Sequence, residues 1–183
     1  MEKSETLLVN LYAGPGTGKS TSMAGLFYEL KLKGVNCEMA PEFAKEKVWE
    51  ESTKLLDNQI YVFGKQLHAI HRVYGKVDVI VTDSPLLFSI IYGKNESDSF
   101  KDLVVDVYNR FKCLNVFLTR VKKFNPSGRL QGEEEAKEID VRIQTLLDNY
   151  KIPYIVRPSG RETVNELSEM VMKLIGKDKA QFV

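Results

Sequence analysis

Cysteine is scarce in this sequence. Cys37 and Cys113 are the only two, and nothing about their positions matches a metal-ligand spacing. A disulfide scaffold is excluded, and buried free thiols of a cytosolic protein are expected. Net charge is nearly absent: 26 Lys and Arg stand against 25 Asp and Glu, a balance of +1. The chain therefore exerts no global pull on nucleic acid, which leaves a local basic patch as the means of holding any. No apolar run reaches the ~18 residues of a membrane helix. The opening Met1-Glu2-Lys3-Ser4-Glu5-Thr6 carries both signs of charge, unlike a signal peptide. These absences predict a cytoplasmic protein without a membrane partner. Repeats, low-complexity tracts and Pro/Gly/Ser linkers are missing too, so residues 1–183 are expected to form one domain.

What remains is an ordinary globular mixture, 43% hydrophobic and 28% charged. It can build a core, and it excludes a disordered or collagen-like chain. Short apolar runs alternate with helical patterns. Strands are expected over residues 7–12, 35–40, 77–82, 114–118 and 152–156. Helices are expected over 20–33, 41–51, 57–74, 86–91, 99–111, 133–150 and 161–175. Pro41 suits the first turn of its helix, and Asp57 suits the cap of the next. The first helix places Met23, Leu26, Phe27 and Leu30 on one face; the third places Ile60, Phe63, Leu67 and Ile70 together. Residues 177–183 read as a frayed tail. Alternating buried strands and helices predict a three-layer α/β fold, a five-stranded parallel sheet covered on both faces. Ligands bind such sheets at the carboxyl ends of the strands, where strand order reverses. Each strand here ends in chemically able residues: glycines, Pro41-Glu42, Asp83-Ser84-Pro85, Arg120 and Arg157-Pro158-Ser159.

The segment Gly14-Pro15-Gly16-Thr17-Gly18-Lys19-Ser20-Thr21 joins the first strand to the first helix. It matches the phosphate-binding loop, the Walker A motif of P-loop NTPases, with Ala13 where the simplest pattern has its first glycine. Gly14, Gly16 and Gly18 permit dihedrals that turn backbone N–H groups inward, and the helix start adds its positive dipole end. Lys19 carries a charge for the outer phosphates of ATP, and the Ser20 hydroxyl suits Mg²⁺. Asp83, ending the third strand, is the expected second magnesium ligand.

No Asn-Lys-x-Asp segment selects guanine, which argues against a regulatory GTPase. The length leaves no room for the extra helical domain of ring-forming ATPases. Residues 120–132 follow the fourth strand and precede a helix, the position of a kinase lid. Arg120 and Arg129 there would neutralise a transferring phosphoryl group, or else be ordinary surface charge.

With these motifs the chain resembles the small P-loop kinases related to the kinase domain of bacterial ribosylnicotinamide kinases, and more broadly nucleoside and nucleotide kinases. It is also similar to ATP-binding P-loop kinases of bacteriophages. The resemblance spans residues 6–175 and rests on the phosphate loop, Pro41-Glu42-Phe43-Ala44, Thr82-Asp83-Ser84 and Gly128-Arg129-Leu130-Gln131. It implies an acceptor site between the exit of the second strand and the helices of residues 41–74. It also implies a carboxylate that takes the proton of the acceptor hydroxyl. Glu42 holds the matching place, Asp83 competes for the role, and Glu42 reads equally as a helix-start carboxylate. Asn58, Gln59, Tyr61, Phe63, Gln66 and His68 are candidates for holding the acceptor, with Gln59 and Tyr61 preferred. Phe63 reads as core, His68 as solvated or structural, and Trp49 as core or a stacking platform. Arg157 lies where related kinases often meet the adenine of ATP, or is a surface arginine.

The leading expectation is a Mg²⁺- and ATP-dependent kinase acting on a hydroxyl of a nucleoside- or nucleotide-like acceptor. A second makes DNA the acceptor through a hydroxymethylated pyrimidine, with Lys94, Lys122, Lys123 and Arg129 on the backbone. A third is an NTPase switch that binds a protein partner.

Overall fold

The computed structural model describes residues 6–121 and 132–177, apart from the side chain of Lys45. Five strands form one sheet: β1 (Leu7–Tyr12), β2 (Cys37–Ala40), β3 (Val79–Thr82), β4 (Lys112–Thr119) and β5 (Ile155–Pro158). All pairs are parallel and the order is β2-β3-β1-β4-β5. The helices are α1 (Lys19–Leu32), α2 (Phe43–Trp49), α3 (Gln59–His71), α4 (Phe88–Tyr92), α5 (Asp98–Tyr108), α6 (Glu133–Asn149) and α7 (Arg161–Leu174). A 3-10 turn at Thr53–Asp57 precedes α3.

The central strand shows why three layers form. Every residue of β1 is buried, and alternate side chains enter opposite cores. Leu8 and Tyr12 join the core beneath α3, α4, α5 and α6. Leu7, Val9 and Leu11 join the core beneath α1 and α7. With β3 on one side and β4 on the other, the exit of β1 is the point where strand order reverses. A glycine-bearing loop at that point is where such sheets bind ligands.

A buried amide ladder crosses the middle of the sheet. Asn10 and Asn115 are register partners on β1 and β4. Asn10 Nδ2 donates to Asn115 Oδ1 at 3.0 Å, while Asn115 Nδ2 donates to Tyr108 Oη at 2.8 Å and to the Pro153 carbonyl at 2.9 Å.

Several boundaries differ from the sequence expectation. β5 starts at Ile155, three residues late, because Pro153 has no N–H to give the ladder. Pro41 and Glu42 stay outside the helix, and α2 starts at Phe43 with the extended Glu42 as its N-cap residue. Asp57 ends the 3-10 turn, and Asn58 caps α3 by accepting from the Tyr61 N–H at 3.0 Å. Ile60 faces solvent with 64% exposure, while Phe63 and Ile70 are core. Trp49 is 65% exposed, so the core reading of that residue fails. Both cysteines lie within strands as free thiols; Cys37 is buried and Cys113 half-buried. Burial pushes each thiol up to about 11. Residues 122–131 and 178–183, hence Arg129 with most of the expected lid and nearly all of the tail, lie outside the described residues.

Candidate active site

The loop between β1 and α1 wraps around its own lysine. Gly16 and Gly18 adopt φ of 81° and 109°, a region that disfavours side chains. Lys19 Nζ donates to the carbonyls of Ala13 at 2.9 Å and Gly14 at 3.3 Å. Thr17 Oγ1 donates to the Gly14 carbonyl at 3.0 Å. Ala13 is fully buried in the core beneath α1, so its methyl fits where the simplest motif has glycine. Burial holds the Lys19 ammonium below the usual lysine range, and the charges of Glu42, Asp83 and Asp140 offset part of that shift.

Gly14 is required by a different constraint. A Cβ there would stand 2.3 Å from the Ala136 carbonyl oxygen and 3.0 Å from Asp140 Oδ1, both on α6. Gly14→Ala is therefore expected to push α6 and the loop apart, at a cost of about 1–3 kcal/mol. Thermal unfolding with and without ATP checks this: both the melting temperature and its rise on adding nucleotide should fall. An unaltered pair of melting curves would remove the constraint.

Asp83 closes β3, is 2% exposed, and its Oδ1 has no hydrogen-bond partner. A buried carboxylate oxygen left open in this way, with the Ser20 hydroxyl on the cavity wall of the same site, fits a magnesium ion. Asp83 directly precedes the Ser84-Pro85 pair, which lines the cavity.

That cavity has a volume of about 490 Å³ and extends from Gly16, Gly18 and Lys19 to a chamber walled by α2, the 3-10 turn, α3 and α4. Glu42 lines it at the exit of β2. Gln59 lines it too, its Nε2 held by the Leu56 carbonyl at 2.6 Å. Tyr61 does not line it; the ring packs edge-on against Phe43 with centroids 5.6 Å apart, and Lys65 Nζ lies 5.5 Å from the Tyr61 centroid.

Gln66 is better placed than Tyr61. It is 3% exposed and lines the cavity. Its Nε2 donates to the Ala40 carbonyl at 3.3 Å and to Thr82 Oγ1 at 3.2 Å, which fixes the amide. Its Oε1 is buried without a partner. Sequence reasoning also passed over Phe88 and Tyr92. They stand four apart in α4 and both line the chamber, where burial raises the Tyr92 phenol far above its usual range. Their signal was the i, i+4 spacing just after Asp83-Ser84-Pro85, where the sequence reading places a helix over 86–91 that stops one residue short of Tyr92.

Arg120 leaves β4 and turns to the phosphate loop, where Nη1 donates to the Pro15 carbonyl at 2.7 Å. Its Nη2 pairs with Asp140 Oδ2 at 2.9 Å. Asp140 also accepts the Gly14 N–H on Oδ1, a contact that nothing in the local sequence announces. Arg157 points elsewhere: Nε and Nη2 grip Glu166 on α7 at 2.7–2.9 Å, and it does not line the cavity. That ion pair lowers the pKa of Glu166.

Comparison with known proteins bears on the fold. Two of the solved structures that match share the fold. One is the deoxyadenosine kinase from M. mycoides with bound dATP, at 18% identity and a TM-score of 0.55, covering 92% of this chain and 99% of that one. The other is the shikimate kinase from Acinetobacter baumannii in complex with shikimate, at 13% identity and a TM-score of 0.54, covering 98% and 97%. No curated protein matches the sequence significantly. A family model described as an AAA domain matches residues 8–165, from β1 into α7, and the chain belongs to that family of P-loop proteins.

Proposed function

We propose that the chain is a single-domain, Mg²⁺- and ATP-dependent kinase that transfers the γ-phosphoryl group to a hydroxyl of a nucleoside- or nucleotide-like acceptor. One observation carries this reading. A single cavity joins the phosphate loop to a chamber lined by two carboxylates (Glu42 and Asp57), two glutamines and two aromatic side chains, the kind of wall that holds a second substrate next to the phosphates. The backbone N–H groups of residues 16–21 hold the phosphates of ATP, Pro15 having none and Gly14 giving its own to Asp140. Lys19, Arg120 and Arg129 spread positive charge over the transferring group. Ser20 and Asp83 hold Mg²⁺, which supplies charge neutralisation at the phosphate oxygens. Glu42, within the chamber wall, takes the proton from the acceptor hydroxyl. Gln59 and Gln66 hydrogen-bond the acceptor, with the open Gln66 Oε1 demanding an N–H or O–H donor from it. Phe88 and Tyr92 cover its apolar face. Tyr61 and Arg157 have no part in this arrangement.

The test is an acceptor panel with γ-labelled ATP. It contains ribosylnicotinamide, deoxyadenosine, pyrimidine nucleosides, their 5′-phosphates, shikimate and DNA bearing a hydroxymethylated pyrimidine. The expected result is one labelled small-molecule product per ADP. Label in DNA, lost steeply with salt, would move the acceptor to nucleic acid. ATP consumption with no labelled acceptor would replace the kinase reading with the NTPase switch.

A further inference from the structure

The carboxylate of Asp140 binds two parts of the site at once. One oxygen accepts the N–H of Gly14, the first glycine of the phosphate loop. The other takes Arg120 Nη2 at 2.9 Å, and the same guanidinium holds the Pro15 carbonyl at 2.7 Å. These contacts close a ring from Gly14 through Asp140 and Arg120 to Pro15, and so back to Gly14. The ring is largely out of water: the side chains of Arg120 and Asp140 are 14% and 21% exposed. Charge-assisted bonds are strong in such surroundings, and the planar guanidinium is fixed in direction when two of its N–H groups are engaged. Three N–H donors remain on Arg120.

An acidic residue touching an anion-binding loop calls for an explanation, because its charge repels the ligand. Asp140 is also among the carboxylates whose field reaches Lys19. The close approach of the Ala136 carbonyl to Gly14 shows that α6 is seated on the loop at this point. A helix could be seated there by apolar contact alone. The charged contact does something further, which is to aim an arginine.

We propose that Asp140 is a positioning residue. It holds Arg120 in the orientation that presents its free N–H groups to the nucleotide, and it fixes Gly14 and Pro15 beneath them. The repulsion between Asp140 and the nucleotide is outweighed by the contact that Arg120 makes when so held. This rests on the reading of the loop as a nucleotide site, and it does not depend on which acceptor is phosphorylated.

The experiment is a double-mutant cycle on ATP affinity, measured by fluorescence in the wild type, Asp140→Asn, Arg120→Ala and the double variant, with melting curves alongside. Asn keeps an oxygen for Gly14 but turns an N–H group toward Arg120. Asp140→Asn is expected to weaken ATP binding by about 10-fold, the scale of a lost charge-assisted hydrogen bond. In the Arg120→Ala background the sign reverses. With no arginine left to aim, removing the carboxylate only relieves repulsion and tightens ATP binding by roughly 3-fold, the scale of a screened charge pair. Equal weakening in both backgrounds would mean that Asp140 merely supports the fold, and would overturn the proposal. So would unweakened binding by Asp140→Asn alone. A readout without nucleotide stands apart from the kinase reading. The Gly14 amide proton in the free protein should move upfield in Asp140→Ala, and an unmoved resonance would remove the contact itself. Failure of every acceptor in the panel above would leave both results standing.

Discussion

Lys19→Ala is expected to leave a folded protein whose turnover has fallen by on the order of 10³-fold, the loss that follows removal of a charge aimed at a transferring phosphoryl group. The fold should survive because burying the ammonium is itself unfavourable, as the lowered pKa of Lys19 shows, and its removal relieves that cost. What the side chain supplies locally is two hydrogen bonds to the Ala13 and Gly14 carbonyls, and water can take them once the side chain is gone. Melting temperature and steady-state turnover, measured on one preparation, check both halves. A folded Lys19→Ala variant that turns over normally would remove the phosphate loop from the chemistry.

Glu42→Gln and Asp83→Asn are expected to fail in different ways, which separates the two carboxylates. Glu42 lines the cavity at the start of α2, with extended backbone at φ −67° and ψ 114°. Replacing a general base there should slow phosphoryl transfer by roughly 10²–10⁴-fold while ATP affinity survives. Asp83 lies behind the wall with an open oxygen, the character of a metal ligand. Asp83→Asn should raise the magnesium concentration needed for half-maximal rate as well as slow the reaction. Rates titrated against Mg²⁺ at saturating ATP resolve the pair. A Glu42→Gln enzyme with near-normal kcat would hand the proton to Asp83 or to no base at all.

The architecture was legible because its signals are local. Continuous apolar runs mark buried parallel strands, and the glycine-lysine-serine spacing marks the loop. The boundaries that moved did so for equally local reasons, such as the missing N–H of Pro153, which delays β5. The chamber was less legible. Gln59, Tyr61 and Gln66 are all polar or amphipathic residues of one helix, and only the packing of α3 against β2 and β3 decides which face the cavity. The contacts of Gln66 with Ala40 and Thr82 turn it inward, while Phe43 takes Tyr61 to the outside. Asp140 was invisible for a stronger reason. It lies 126 residues beyond Gly14, on a helix whose acidic residues look like solvent-facing charge. Likewise Arg157 looked available until its carboxylate partner nine residues along the chain was seen.

The amide pair between Asn10 and Asn115 bears on how the two halves of the site come into step. A strand that slips by one residue turns every side chain to the wrong core, so hydrophobicity alone forbids that error. A slip by two residues preserves the facing, and a core of interchangeable Leu, Val and Ile punishes it only weakly. It would, however, part the Asn10 Nδ2 donor from its Asn115 Oδ1 acceptor inside the sheet, at about 1–3 kcal/mol for each group left unsatisfied. The ladder thus acts as a key that admits one alignment of β1 with β4. Four residues beyond Asn10 the chain reaches Gly14, and five beyond Asn115 it reaches Arg120. The polar pair at the centre of the sheet is what brings the phosphate loop and its arginine out at the same height.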